Sequence, residues 1–158
     1  MNRNINIVTL GCSKNIVDTE KLLWQLRKGG YNVSWDPENI KADTVIINTC
    51  GFINDAKEES IDTILRFVRA KEAGQIRRLY VMGCLSERYM DELRSEIPEV
   101  DKYFGVRNIK DILLETGISQ YDFSLNGRIL TNPSHYAFLK VSEGRSEERR
   151  VGKECRSR

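Results

Sequence analysis

Residues 5–30, INIVTLGCSKNIVDTEKLLWQLRKGG, pass from an apolar β-branched run through a Gly-Cys turn into a helical pattern and stop at two glycines. INIVTLG (5–11) reads as a buried strand, and Ile16, Leu22, Leu23 and Leu26 form the apolar stripe of a helix ending at Gly29 and Gly30. This is one β-α unit, and the rest of the chain repeats it.

Tyr31 to Trp35 is predicted to be an edge strand, and Asp43 to Asn48 contains TVII, a run suited to a strand covered on both faces. Cys50 follows directly. From Ala56 to Lys71, Ile61, Ile64, Leu65 and Val68 fall at i, i+3, i+4 and i+7, with Asn54 or Asp55 able to cap the helix. Leu79 to Met82 is the next strand and Cys84 stands just after it; Tyr89, Leu93 and Ile97 then mark a helix stopping at Pro98. Tyr103 to Val106 is expected as a fifth strand, followed by a short helix capped by Asn108, running through Ile109, Ile112 and Leu113, and closed by Gly117.

Alternating strands and helices imply an α/β fold: an open parallel sheet of about five strands, helices on both faces, flavodoxin- or Rossmann-like. The predicted order is 2-1-3-4-5, which places the first, third and fourth strands side by side. Strand-to-helix turns of such a sheet share one edge, where ligands bind. Cys12, Cys50 and Cys84 occupy three of those turns, in LGCSKN, NTCGFI and MGCLSER. At about 4.8 Å per strand, three neighbouring strand ends span roughly 10 Å, so the loops can bring the thiols together.

The chain has 158 residues, 40% hydrophobic and 30% charged, an ordinary composition for about one domain. It has no signal-like start and no run near the roughly 20 apolar residues of a membrane span, so the expected location is cytoplasmic, without a membrane partner. Cysteines in a reducing compartment suit metal ligation, thiol chemistry or core filling better than disulfides. Residues 145–158, RSEERRVGKECRSR, carry six Lys/Arg, three Asp/Glu and almost nothing apolar. They resemble the translation of a sequencing-adapter oligonucleotide and are predicted to be a non-native, disordered tail that includes Cys155. Residues 1–144 hold 19 Lys/Arg against 20 Asp/Glu, which leaves no basic signature for direct nucleic-acid binding.

Thiolates at helix N-termini are favoured by the partial positive charge and free N–H groups there. Three such cysteines suit a four-iron four-sulfur cluster with one open iron, and a catalytic zinc with three protein ligands uses the same chemistry. Free cysteine also serves as a small buried hydrophobe. Asn15, Asn48 and Thr49 are candidates to bond cluster sulfur or substrate, although Asn and Thr at such turns commonly satisfy local backbone. Gly11, Gly51 and Gly83 permit tight turns and close backbone approach. His135, close to Pro133, reads as a surface residue. Asp55, Glu58 and Glu59 suit a helix dipole, and Trp24 and Trp35 read as packing groups. No catalytic side chain is assigned.

LGCSKNIVDTE, NTCGFINDAKEESI and GCLSERY resemble the N-terminal domain of the methylthiotransferases, radical-SAM enzymes that replace C–H by C–SCH3. Ser13-Lys14-Asn15, Gly51-Phe52-Ile53 and Leu85-Ser86-Glu87-Arg88 look like the branch acting on an aspartate of the small-subunit ribosomal protein numbered twelve, whereas tRNA-modifying branches read differently there. The resemblance implies that Cys12, Cys50 and Cys84 bind an auxiliary 4Fe-4S cluster whose open iron helps supply sulfur. It implies domains at 1–117 (cluster domain) and 118–144 (a connector with a turn at Asn126-Gly127, then Tyr136 to Val141 as the first strand of a radical-SAM barrel). S-adenosylmethionine, a second 4Fe-4S cluster and an RNA-binding-type domain are expected only in the full-length enzyme, since no CxxxCxxC motif follows YAFLKVSEG here. The chain alone is therefore predicted to be inactive. The tRNA-modifying methylthiotransferase branch, a non-catalytic flavodoxin-like binding module and a thiol-redox or zinc protein are the rival readings; no phosphate-cradling Gly-rich loop supports the second and no CxxC the third.

Overall fold

A computed structural model describes residues 3–40, 42–119, 127–131 and 136–141. The tail at 145–158 with Cys155, and also Asn126, Pro133 and His135, lie outside the described residues.

The elements are β1 (Asn4–Thr9), α1 (Ser13–Lys28), β2 (Asn32–Trp35), β3 (Thr44–Thr49), α2 (Asn54–Glu72), β4 (Arg78–Gly83), α3 (Cys84–Arg88), α4 (Met90–Glu96), β5 (Lys102–Tyr103) and α5 (Ile109–Glu115). The sheet runs β2-β1-β3-β4-β5 and every pair is parallel, which is the predicted order. Alternation within the strands splits the core in two. Val45, Ile47, Leu79 and Val81 meet Ile64, Phe67 and Val68 of α2 and Leu93 of α4, whereas Ile5, Ile7, Ile46, Tyr80 and Met82 meet Leu22, Leu23 and Leu26 of α1 and Ile112 and Leu113 of α5. Consecutive residues of β3 thus serve opposite faces, as the unbroken apolar run TVII requires of a strand covered on both sides.

Four local expectations change. The N-cap of α2 is Ile53, without a side-chain cap bond, and Asn54 and Asp55 fall in the exposed first turn. Within that helix Leu65 is 38% exposed, and Phe67 is the buried residue instead. The helix expected through Tyr89, Leu93 and Ile97 is two, interrupted at Tyr89 (φ −123°, ψ 30°). That break lets α3 follow β4 with no loop while Leu93 and Ile97 still reach the core.

The fifth strand is only Lys102–Tyr103: Phe104 N–H still reaches Val81 O (2.8 Å), but Gly105 N–H goes to Asn108 Oδ1 (3.0 Å) and Val106 N–H to Glu87 Oε2 (2.6 Å). Asn108 takes the N-cap position of α5, but its oxygen is committed to Gly105 rather than to the helix. Tyr136 to Val141 pairs with no strand among the described residues and is held by side chains instead. Among the described residues no helix is long and apolar enough to cross a membrane.

Candidate functional site

The C-terminal ends of β1, β3 and β4 lie side by side, with Thr9 opposite Asn48 and Thr49 opposite Gly83. The three cysteines follow from those ends. Cys12 is the N-cap of α1, Cys50 leads from β3 toward α2, and Cys84 opens α3. All three are free thiols; Cys50 is buried, and the other two are half-buried.

The turns touch backbone to backbone because three glycines let them. Gly11 has φ +92°, and a Cβ there would sit 2.9 Å from Cys50 Sγ and closer still to Cys50 Cβ. Gly83, at φ +104°, would place a Cβ 2.7 Å from Asn48 Oδ1 and against the Thr49 carbonyl. At Gly51 a Cβ would stand 2.7 Å from Leu85 Cα. An L-residue at Gly11 or Gly83 would face both a steric collision and an unfavourable backbone region.

Side chains then lace the three turns together. Asn15 Nδ2 donates to Leu10 O (2.7 Å) and to Thr49 O (3.0 Å), and Asn48 Nδ2 donates to Asn15 O (3.0 Å) and Thr19 Oγ1 (3.2 Å). Thr49 Oγ1 donates to Met82 O at 2.6 Å. The Ser60 hydroxyl accepts from Cys50 N–H at 3.1 Å and donates to Cys50 O at 2.8 Å. Asn15, Asn48 and Thr49 therefore all bond backbone, Asn15 locally at Leu10 O and all three across elements 33 or 34 residues apart. Thr19 and Ser60 were not anticipated. Neither lies in a cysteine-bearing turn, so only packing of the helices onto the strand ends reveals them.

The thiols share one electrostatic environment. Burial pushes the Cys84 thiol up first, the neighbouring Cys50 and Cys12 push it further, Lys140 opposes the shift and Asp18 adds to it. The Cys84 thiol thus sits, beside two further thiols, where its anionic form needs a compensating cation. Of the polar side-chain atoms buried without a hydrogen-bond partner among the described residues, two lie near the cysteines in sequence: Asn48 Oδ1, two positions before Cys50, and Ser86 Oγ, two after Cys84. The three thiols and the Ser86 hydroxyl, which can donate to sulfur, fit a sulfur-rich metal group. Among the described residues no three His, Cys, Asp or Glu side chains form a ready-made site for one metal ion. A cluster presents a different iron to each cysteine and does not require the sulfurs to meet at a point.

Asp55, Glu58 and Glu59 are exposed along α2. Trp24 is half-buried with the Lys28 ammonium 4.8 Å from its ring centre, and Trp35 Nε1 donates to Thr9 Oγ1 at 3.2 Å.

Among known proteins, the family model described as "Uncharacterized protein family UPF0004" matches residues 4–105. The chain is 54% identical over 142 residues to the "Ribosomal protein uS12 methylthiotransferase RimO" of Bacteroides thetaiotaomicron, covering 90% of this chain and 33% of that protein. The protein of the same name in Phocaeicola vulgatus is 55% identical over 146 residues, covering 91% and 34%, and that of Porphyromonas gingivalis 53% over 145 residues, covering 91% and 33%. The chain spans about a third of the length of these relatives. With the family match running from β1 to the end of β5 and taking in all three cysteine turns, the chain belongs to the UPF0004 family and carries the N-terminal domain found in RimO-type proteins.

Proposed function

We propose that this domain is the cluster-binding, sulfur-handling part of a methylthiotransferase that, in full-length form, modifies an aspartate of ribosomal protein uS12 in the cytoplasm. The observation that carries the reading is the convergence of three free cysteines on adjacent strand ends whose turns are in backbone contact. The names and high identity of the relatives support the substrate.

In this reading Cys12, Cys50 and Cys84 hold a 4Fe-4S cluster through three of its irons. When bound, the group supplies an open iron at which sulfur can be delivered to substrate. The chain's own residues prepare that edge. Asn15 ties the Cys12 turn to β3, Asn48 ties β3 back to α1, and Thr49 ties β3 to β4, so the thiols are positioned by protein bonds before any metal arrives. Gly11, Gly51 and Gly83 keep side chains out of the junction and leave backbone facing it. The cluster domain is assigned to residues 1–117 and a connector to 118–144. S-adenosylmethionine, a second 4Fe-4S cluster and radical generation are assigned to the part of the relatives' length that this chain does not span, so the chain alone is expected to give no turnover.

The test is anaerobic reconstitution of the full chain with iron and sulfide, beside Cys12→Ser, Cys50→Ser and Cys84→Ser. About four irons and four labile sulfides per chain, lost in every single variant, is the expected result. A folded chain that takes up no cluster, or one that keeps it without Cys84, would overturn the assignment.

A further inference from the structure

Helix α1 carries two acids where a helix lying on a sheet should be apolar: Asp18 is 4% exposed and Glu20 0%. A buried carboxylate costs several kcal/mol unless it is paired, so both need partners. The partners come from the far end of the chain. Glu20 Oε1 accepts from the Thr131 amide at 2.7 Å and from its hydroxyl at 2.9 Å. Arg128 Nε lies 2.7 Å from Glu20 Oε2, an ion pair in distance though not aligned as a hydrogen bond. Lys140 Nζ donates to both oxygens of Asp18 at 2.8 Å, with side chains only 9% and 6% exposed.

The Lys140 pair reaches the cysteine edge. Asp18 lies on α1 between Asn15, whose amide donates to Thr49 O beside Cys50, and Thr19, whose hydroxyl accepts from Asn48 Nδ2. The ammonium it holds therefore stands within about one helical turn of the contacts to the cysteine-bearing strand ends, and the same ammonium opposes the upward push on the Cys84 thiol. Apolar burial is not what seats this part of the chain, since Leu139 and Val141 are 82% and 81% exposed. What residues 136–141 bring inward is chiefly a charge.

We propose that Lys140, held by both oxygens of Asp18, is a positioning residue that sets a fixed positive charge beside the three-cysteine edge when residues 136–141 dock on α1. This rests on the reading that Cys12, Cys50 and Cys84 hold a cluster. Three thiolates and a cluster carry net negative charge that grows on reduction, and an ammonium held in a partly desolvated place favours the more reduced form. Docking of the segment after the domain thereby sets how readily the site accepts an electron.

The test uses the full chain, reconstituted anaerobically, as wild type, Lys140→Met, Lys140→Arg and Asp18→Asn. The midpoint potential is read by spectroscopic redox titration, with labile sulfide reporting occupancy, far-UV circular dichroism the fold, and limited proteolysis the docking. Lys140→Met is expected to keep its cluster but to titrate at a more negative potential, with Lys140→Arg returning toward wild type. Asp18→Asn should move the potential as Lys140→Met does and speed cleavage within 136–141 several-fold. Equal potentials in cluster-loaded wild type and Lys140→Met would overturn this inference and leave the cluster assignment standing. A folded wild type without any cluster would overturn both.

Discussion

The sheet-and-helix body and residues 127–131 and 136–141 are held by different balances of force. In the body, apolar residues from β1, β3 and β4 alternate between two faces, and every helix laid on them contributes aliphatic side chains. In 127–131 and 136–141, Ile129 packs against the α1-side core and Phe138 is half-buried, but the charged and polar anchors are Arg128, Thr131 and Lys140 on two buried acids of α1, while Leu130 and Leu139 face solvent. Apolar burial is additive and tolerant of shape, whereas a buried ion pair tolerates neither partner alone. The first builds the body; the second makes the hold on 127–131 and 136–141 depend on charges staying paired.

The contrast is broken most severely by cutting into the body. Leu22→Ala, at a position 0% exposed between α1 and the sheet, should cost about 2–5 kcal/mol in chemical denaturation. Gly83→Ala should approach that, since its Cβ would meet the Thr49 carbonyl at φ +104°, and cluster uptake should fall with it. A loss below about 1 kcal/mol at either site would mean the strand ends are looser than the close approach implies.

Asn48→Ala tests the lacing of the turns. It removes the donor to Asn15 O and Thr19 Oγ1, and a loss of about 1–3 kcal/mol is expected, together with slower cluster assembly in a chain that still folds. Unchanged assembly kinetics would show that the turns hold their positions without it.

Alkali probes the α2/α4 face of the body. Tyr103 donates to Leu93 O at 3.2 Å and Ile97 O at 2.8 Å, and burial pushes its phenol up to about 12 from the usual 10.0. The unfolded chain releases that proton first. The stability contributed is therefore whole below pH 10 and is lost as pH rises from 10 toward 12. Tyr103→Phe should flatten that part of the stability profile, and an unchanged alkaline slope would assign it elsewhere, Tyr80 being shifted in the same direction.

The smallest expected effect on global stability is that of Lys140→Met, within about 1 kcal/mol, on the expectation that residues 136–141 release and leave Asp18 to water. Protease sensitivity confined to 136–141 would sharpen the contrast between the body and those residues. Cooperative loss of the whole domain would erase it.

Much of the body is legible in the chain itself. The stripe of Leu22, Leu23 and Leu26, the TVII run and the glycines at 29–30 and 117 locate elements to within a few residues, because period and turn chemistry are local properties. The split at Tyr89 and the shortened β5 are not legible in this way. Both depend on what lies alongside, such as the Glu87 carboxylate that takes the Val106 amide. Asp18 and Glu20 could have been noticed as charges beside the apolar stripe of α1, but their partners stand 122 and 108–111 positions away.

At the cysteine edge, three cysteines after three strands, in a parallel alternation that sends all such turns to one side, are legible in the chain alone. Only the tertiary structure decided how the turns fit. Contact of Gly11 with Cys50, the reach of Asn15 and Asn48 between elements, and the arrival of Lys140 at Asp18 all join residues distant in the chain. Local propensity acts over a few residues, whereas partner choice among buried polar groups is settled only when the whole surface closes and each must be satisfied at once.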